Sequence, residues 1–422
     1  MATAVVVAFV ASSLAQSWSR DRALADSHGG VTSLATPPRP AWESETDEGR
    51  AWALGDTLVT VQDGRLVGLD VATGRRGWEV GMSGGGPRCG PAPEDVGSSP
   101  AELVCLVGDR MSPRAWVVTA DGQVTSSVPL GDVGGDAVPG PGASVLRWDR
   151  TGGTATVMLQ DAKDAGVRWV RTVAPDDVAR VDLCRPQVAG TAAADVEQGL
   201  LVVRGCRISA YFDVDGTRVD DTAAPATLQV VPTAAGTYLR TTAASATGAV
   251  ESTQVVRNDG ATERIVPGRP LVPLATDGTA DPTRLLSVPG GVQALDTRGN
   301  ERWTASGDVV QVAVVADGVA VLDLGWVVRG VDLATGATAW TWERDDLGVA
   351  DSVVAAFTDR HVAALVVAAG DMTRSARIVA LDLADGSVLW DQQVDGDTGG
   401  FGTVDGHLVH ADPATGRLVV YR

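Results

Sequence analysis

Four cysteines, four histidines and scattered acidic clusters are the residues of this 422-residue chain whose chemistry could reach beyond packing. The cysteines fall into two local pairs, Cys89 with Cys105 and Cys184 with Cys206. Outside the cytoplasm such pairs tend to oxidise, and each would close a loop contributing about 3 kcal/mol by chain entropy. Four cysteines allow three connectivities, and sequence does not choose among them. Zinc fits poorly, because there is no C-x-x-C and no histidine follows at ligand spacing. The histidines are His28, His361, His407 and His410. On a strand, His407 and His410 would face opposite ways, which argues against a shared metal. A hydrolytic triad would rest mainly on His361, which reads better as an isolated surface residue. Asp213-Val214-Asp215-Gly216, followed by Asp220 and Asp221, has the carboxylate density of a calcium loop. It lacks the third spaced ligand and the bidentate glutamate, so a plain turn is favoured. Gly84-Gly85-Gly86 is not followed by the Lys-Ser/Thr of a phosphate loop and reads as a connection. No catalytic, cofactor-binding or metal-binding set is predicted.

The remaining candidates are structural, and they sit in a repeat. Four segments align: Leu66–Trp78, Val292–Trp303, Val328–Trp340 and Ile378–Trp390. Each holds an apolar residue just before an aspartate (Asp70, Asp296, Asp332, Asp382), and only Gly or Ala two places before it. A glycine follows (Gly74, Gly299, Gly336, Gly386), and a tryptophan comes four residues after the glycine (Trp78, Trp303, Trp340, Trp390). In the Asp296 copy the turn is one residue shorter, and Gly299 and Trp303 shift together. That joint shift is what a structural unit shows. Period-two alternation before the turn marks a strand, the aspartate can accept turn amides, and glycine can take positive φ. The next strand then carries the tryptophan. An indole needs to bury up to ~250 Å2, which stabilises by at most ~6 kcal/mol. One isolated sheet offers no such place, so the ring is expected to dock one sheet on the next.

Weaker copies fill the middle. Asp161 precedes Trp169 by eight residues, with Gly166 between them. The runs Trp116–Val124, Ala210–Val219 and Val255–Ile265 keep strand, turn and strand without the tryptophan. Strands at intervals of roughly 40 to 50 residues, and no convincing helix, indicate a propeller. Near the start, Pro40-Ala41-Trp42-Glu43 reads as an orphan strand with its own tryptophan. Strands around Phe401–Val404, His407–Ala411 and Arg417–Tyr421 form an incomplete last unit. The two are expected to join, closing the ring and hiding sheet edges.

Strand, L-D-x-x-x-G turn and terminal tryptophan resemble the repeat of pyrroloquinoline-quinone (PQQ) enzymes. Similar repeats occur in quinoprotein dehydrogenases and in a non-enzymatic envelope propeller that assists outer-membrane protein assembly. The resemblance implies an all-β propeller of four-stranded blades over residues 41–422, eight in number within a range of seven to nine. The enzymatic branch would hold PQQ between a tryptophan and a disulfide of adjacent cysteines, beside calcium. No two cysteines here are adjacent, so no residue carries over as a ligand and no cofactor is expected.

Charge narrows the partners. A net charge of −19 argues against nucleic acid and against anionic lipid surfaces. Lys163 is the only lysine. From Met1 to Ser19 there is no charged residue, and Ala2 to Ala15 is nearly all apolar or small. That stretch suits a membrane span or a secretion signal, with Ser13-Leu14-Ala15 as a passable cleavage site, although no basic segment precedes it. An uncleaved anchor over 1–19 is favoured, with residues 20–40 as a flexible stalk. The function expected is a non-catalytic interaction scaffold outside the cytoplasm, monomeric, tethered only by its first helix, with an envelope or extracellular protein as partner. The alternatives are a secreted form, and an exported enzyme or sugar-binding protein with a site in the central funnel. Connections Gly81–Pro100 and Gly131–Gly142 are candidate contact sites.

Overall fold

The computed structural model describes residues 20–422 except 26, 48, 83, 85, 91–99, 110–111, 132–135, 152–153, 175–192, 198–199, 206–207, 220–227, 234–236, 244–249, 258–261, 280–283, 289, 297, 299, 345–351, 369–374 and 396–399. The apolar segment 1–19, Cys184, Cys206, Asp220, Asp221 and Gly299 therefore lie outside the described residues. Among the described residues no helix is long and apolar enough to cross a membrane. Residues 20–25 are helical, and almost everything after Pro40 is strand, turn or short connection.

Successive strands pair antiparallel into sheets that follow the sequence. The first holds Ala51–Leu54, Thr57–Gln62, Arg65–Asp70 and Arg76–Gly81 in order. The same plan recurs in the sheets spanning residues 88–129, 136–173, 228–267, 269–306, 311–343 and 352–395. The 193–212 sheet shows three strands, and the 311–343 sheet gains Ala275–Thr276 as a parallel edge. Nine sheets appear among the described residues, where the sequence leads one to expect eight blades. Arg88–Gly90 and Asp136–Gly140, placed by sequence within candidate contact loops, are the first strands of their sheets. Their pairing accounts for the difference, since Cys89 lies opposite Cys105 and Ala137 opposite Arg147. Cys89 and Cys105 are joined by a disulfide.

The terminal sheet combines both ends of the sequence: Pro40–Glu45 lies beside Arg417–Tyr421, then His407–Asp412 and Phe401–Val404. Arg39 and Arg422 exchange main-chain hydrogen bonds at 3.1 and 3.0 Å. Trp42 is half-buried on the N-terminal strand. The chain forms two compact units, one holding the N-terminal residues through Ser44 with Leu271–Arg422, the other Glu45–Pro270. Within each unit the cores lie between consecutive sheets, where Val, Leu and Ala from facing strands are buried.

The tryptophans occupy these seams. Trp303 donates its indole N–H to the Leu333 carbonyl of the next sheet at 3.0 Å, and Trp340 to Leu383 at 2.8 Å. In the other unit Trp78 reaches Ala120 at 2.7 Å and Trp169 reaches Val214 at 3.0 Å. Each acceptor is the residue immediately after the one that opens the next sheet's turn. The amide of that residue is engaged in some copies too: Leu333 N–H bonds Gly318 O, and Leu383 N–H bonds His361 O, both at 2.8 Å. The ring itself is clamped. On its own sheet Trp340 lies opposite Gly330 and Trp78 opposite Gly68, where a Cβ would come within 2.1 Å of either ring. On the next sheet Gly386, at φ +74°, faces the Trp340 ring so closely that a Cβ would sit 2.5 Å away. The Gly-or-Ala position of the repeat and its turn glycine thus form the two jaws.

Where the tryptophan is missing the register still serves. Ser126 stands four residues after Gly122, and its hydroxyl donates to Lys163 O of the following sheet at 2.7 Å. The turn aspartates tie off their own hairpins. Asp70 accepts the Thr73 amide and hydroxyl, and Asp332 accepts the amides of Ala334 and Thr335 and the Thr335 hydroxyl. Asp296 takes the Arg298 and Asn300 amides, and Asp382 that of Ala384.

Residues 28–34 are fastened rather than hanging as a stalk. Val31 and Leu34 are buried with Phe357, Trp390 and Tyr421. Gly29 in this segment allows close approach: at its φ of +72° a Cβ would lie 2.5 Å from the Ala275 Cβ.

Truncating Trp340 to Ala is expected to cost about 3–5 kcal/mol in urea unfolding, as large core truncations do. A loss under about 1 kcal/mol would mean that the seam does not depend on the ring. The Thr73 hydroxyl holds the Asp70 carboxyl below its ordinary value, and the Thr335 hydroxyl does the same for Asp332. A depressed folded-state value stabilises above the unfolded value and is lost as pH falls through the folded one. Melting temperature should therefore drop progressively below about pH 4, and Thr335→Val should weaken that dependence.

Candidate interaction surface

Apart from the Cys89–Cys105 disulfide, the described residues that sequence singles out for chemistry do not converge. His361 is exposed, with Nδ1 3.6 Å from the Asp317 carboxylate. His410 is buried and stacks on Phe401, its cross-strand partner, at 4.0 Å between ring centres. His407 sits half-buried at the start of the same strand. Asp213 closes a turn, accepting the Asp215 amide at 3.0 Å and the Thr217 amide at 2.7 Å. Burial pushes its carboxyl above the ordinary aspartate value. Among the described residues no three His, Cys, Asp or Glu side chains are grouped to hold a metal ion. Of the candidate contact loops, 91–99 and 132–135 lie outside the described residues.

A different feature stands out in the 311–343 sheet. Antiparallel pairing puts the Asp317-Gly318 and Leu333–Ala337 turns at one end, and the 324–326 loop at the other. At that second end Trp326 is 60% exposed and Val310 is 65% exposed, while the docking tryptophans Trp303 and Trp340 are buried. Asp323 bonds Val310 and the residue before Trp326. Val310 N–H donates to Asp323 O at 2.8 Å, and the Asp323 carboxylate takes the Gly325 amide at 2.9 Å. Arg344 donates to the same oxygen at 2.7 Å, and this ion pair is buried on both sides. Arg344 N–H also bonds Trp326 O. Gln311 links Asp323 at 3.2 Å to Val353 O of the next sheet at 2.7 Å.

A buried Asp–Arg pair costs desolvation, and only fixed geometry with further hydrogen bonds offsets that. Here the pair's partners are the backbone groups that carry Trp326. The result is a tryptophan on tied-down backbone, its side chain largely in water, with an exposed valine at the same end of the sheet. Exposed aromatics on a rigid support are the usual anchors of protein interfaces. Register-based reading passes over Trp326, because it follows Gly325 directly and lies outside the four-residue offset. The available signal was that mismatch: a tryptophan in a repeat protein that the repeat does not use.

Residues 243–421 match the family model described as outer membrane protein assembly factor BamB, a PQQ-type repeat. No curated protein matches the chain. Among solved structures, BamB from Moraxella catarrhalis is similar at 13% identity, with a TM-score of 0.44, over 92% of this chain and 100% of that one. The quinohemoprotein alcohol dehydrogenase from Comamonas testosteroni is similar at 11% identity, with a TM-score of 0.39, over 91% of this chain and 76% of that one.

Replacing Arg344 with Ala strands the buried Asp323 carboxylate. We expect a stability loss of about 3–5 kcal/mol, and partial rescue when Asp323 is also made Asn. Calorimetry on the single and double variants checks both.

Proposed function

From the PQQ-type repeats of residues 243–421, we propose that this chain is a non-catalytic protein-interaction scaffold of the assembly-factor kind. The four-stranded sheets are read as blades of the PQQ type. It works outside the cytoplasm, tethered through residues 1–19, where a disulfide such as Cys89–Cys105 would persist. The observation that carries the reading is Trp326, exposed at 60% on backbone held by the buried Asp323–Arg344 pair. An exposed ring adds little to the stability of its own sheet, whereas a partner can bury it. Net charge of −19 points the interaction toward protein rather than nucleic acid.

The experiment compares Trp326→Ala with the parent protein in native envelope extracts. Melting should be unchanged to within about 0.5 kcal/mol, while retention of a specific partner falls at least about tenfold. Equal retention by the two proteins would remove this surface from the proposal. Titration with PQQ and calcium, followed by absorbance, should show no saturable binding. Tight stoichiometric binding would overturn the non-catalytic reading.

A further inference from the structure

The terminal sheet differs from the others in one respect. Elsewhere the docked indole finds its acceptor in the turn that directly follows the third strand of the next sheet. In the terminal sheet the third strand, Arg417–Tyr421, pairs with Pro40–Glu45, which does not follow it in sequence, so no such turn joins them. Trp390 nevertheless makes the bond: its indole N–H donates to Leu34 O at 2.6 Å. The acceptor comes from the segment that precedes the first strand.

That segment crosses three sheet edges in a few residues. His28 O accepts the Thr276 amide at 2.9 Å, and Gly29 O accepts that of Thr358 at 2.9 Å. Val31 N–H returns to Thr358 O at 2.9 Å, and Thr32 N–H to Gly406 O at 2.8 Å. Leu34 N–H donates to the Asp359 carboxylate at 2.7 Å. The other oxygen of Asp359 takes the His361 and Val362 amides. One carboxylate therefore anchors both the segment and the turn it lies on. Val31 and Leu34 complete the apolar cluster containing Trp390, Leu408, Val419 and Tyr421.

We propose that residues 28–34 are a strap that replaces the missing turn, so that docking of the 352–395 sheet on the terminal sheet opens and closes with the strap. Lifting the strap removes the Trp390 acceptor and part of its apolar cover. It leaves Trp303 and Trp340, whose acceptors lie on Leu333 and Leu383, in place. The terminal sheet is thus docked by a segment that a pull on, or a partner of, the N-terminal region could displace.

Native-state hydrogen exchange on the full chain tests this. In the parent protein the Val31 and Leu34 amides and the Trp390 indole proton should exchange together, at one rate set by strap opening. The Trp303 and Trp340 indole protons should exchange more slowly. Asp359→Asn keeps a carbonyl oxygen for the turn but can set an amide donor against Leu34 N–H. It should speed Trp390 indole exchange at least about tenfold while changing Trp340 less than about twofold. Separate rates for Trp390 and the strap amides in the parent would overturn the proposal. A parallel rise at all three indoles in the variant would do the same, because it would report general loosening.

Discussion

The fold turns on a donor that has to find a carbonyl in another sheet. An indole buried in a seam cannot leave its N–H unpaired without a penalty of about 1–3 kcal/mol. In each case the acceptor lies on the next sheet. The hydrogen bond itself nets only about 1 kcal/mol, whereas burying the ring contributes several times that. Area therefore supplies the stability, and the hydrogen bond supplies the alignment. Trp340 can reach Leu383 only when the two sheets are in one relative register. Repeated at Trp78, Trp169 and Trp303, this fixes successive sheets within each unit.

Much of this was legible because the constraint falls on side-chain identity. Gly68 and Gly330 must be small to lie under a ring, Gly386 must be small to lie over one, and the aspartates must accept turn amides. Those demands leave letters in the sequence at fixed spacing. The acceptor leaves none, since a main-chain carbonyl looks the same on Leu333, Leu383, Val214 or Ala120. Register can locate it only after the hairpins are placed. Ser126 shows the same limit from the other side: a small hydroxyl at the tryptophan position keeps the inter-sheet bond without the signal.

The N-terminal segment was misread for a related reason. Gly29, Gly30, Pro37 and Pro38 have the composition of a tether. Glycine, though, serves close packing as readily as freedom, and at Gly30 a Cβ would fall 1.8 Å from Leu24 O. Composition cannot tell the two uses apart. Leu34 and Val31 could: two apolar residues spaced to bury in a supposed linker are a reason to expect contact.

The same economy of backbone groups separates the two ends of a sheet. At the turn end of the 311–343 sheet, the Asp332 carboxylate, the Leu333 amide and the Leu333 carbonyl are all engaged in holding hairpins and docking Trp303. A substitution there disturbs the seam, so that end has little latitude to acquire a partner. At the opposite end the Asp323–Arg344 pair turns polar groups inward and leaves Trp326 and Val310 facing out. Among the described residues neither side chain belongs to a buried core cluster. Variation at that end changes what the sheet presents more than how it stacks, and this is how a repeat fold keeps its architecture while its surface diverges.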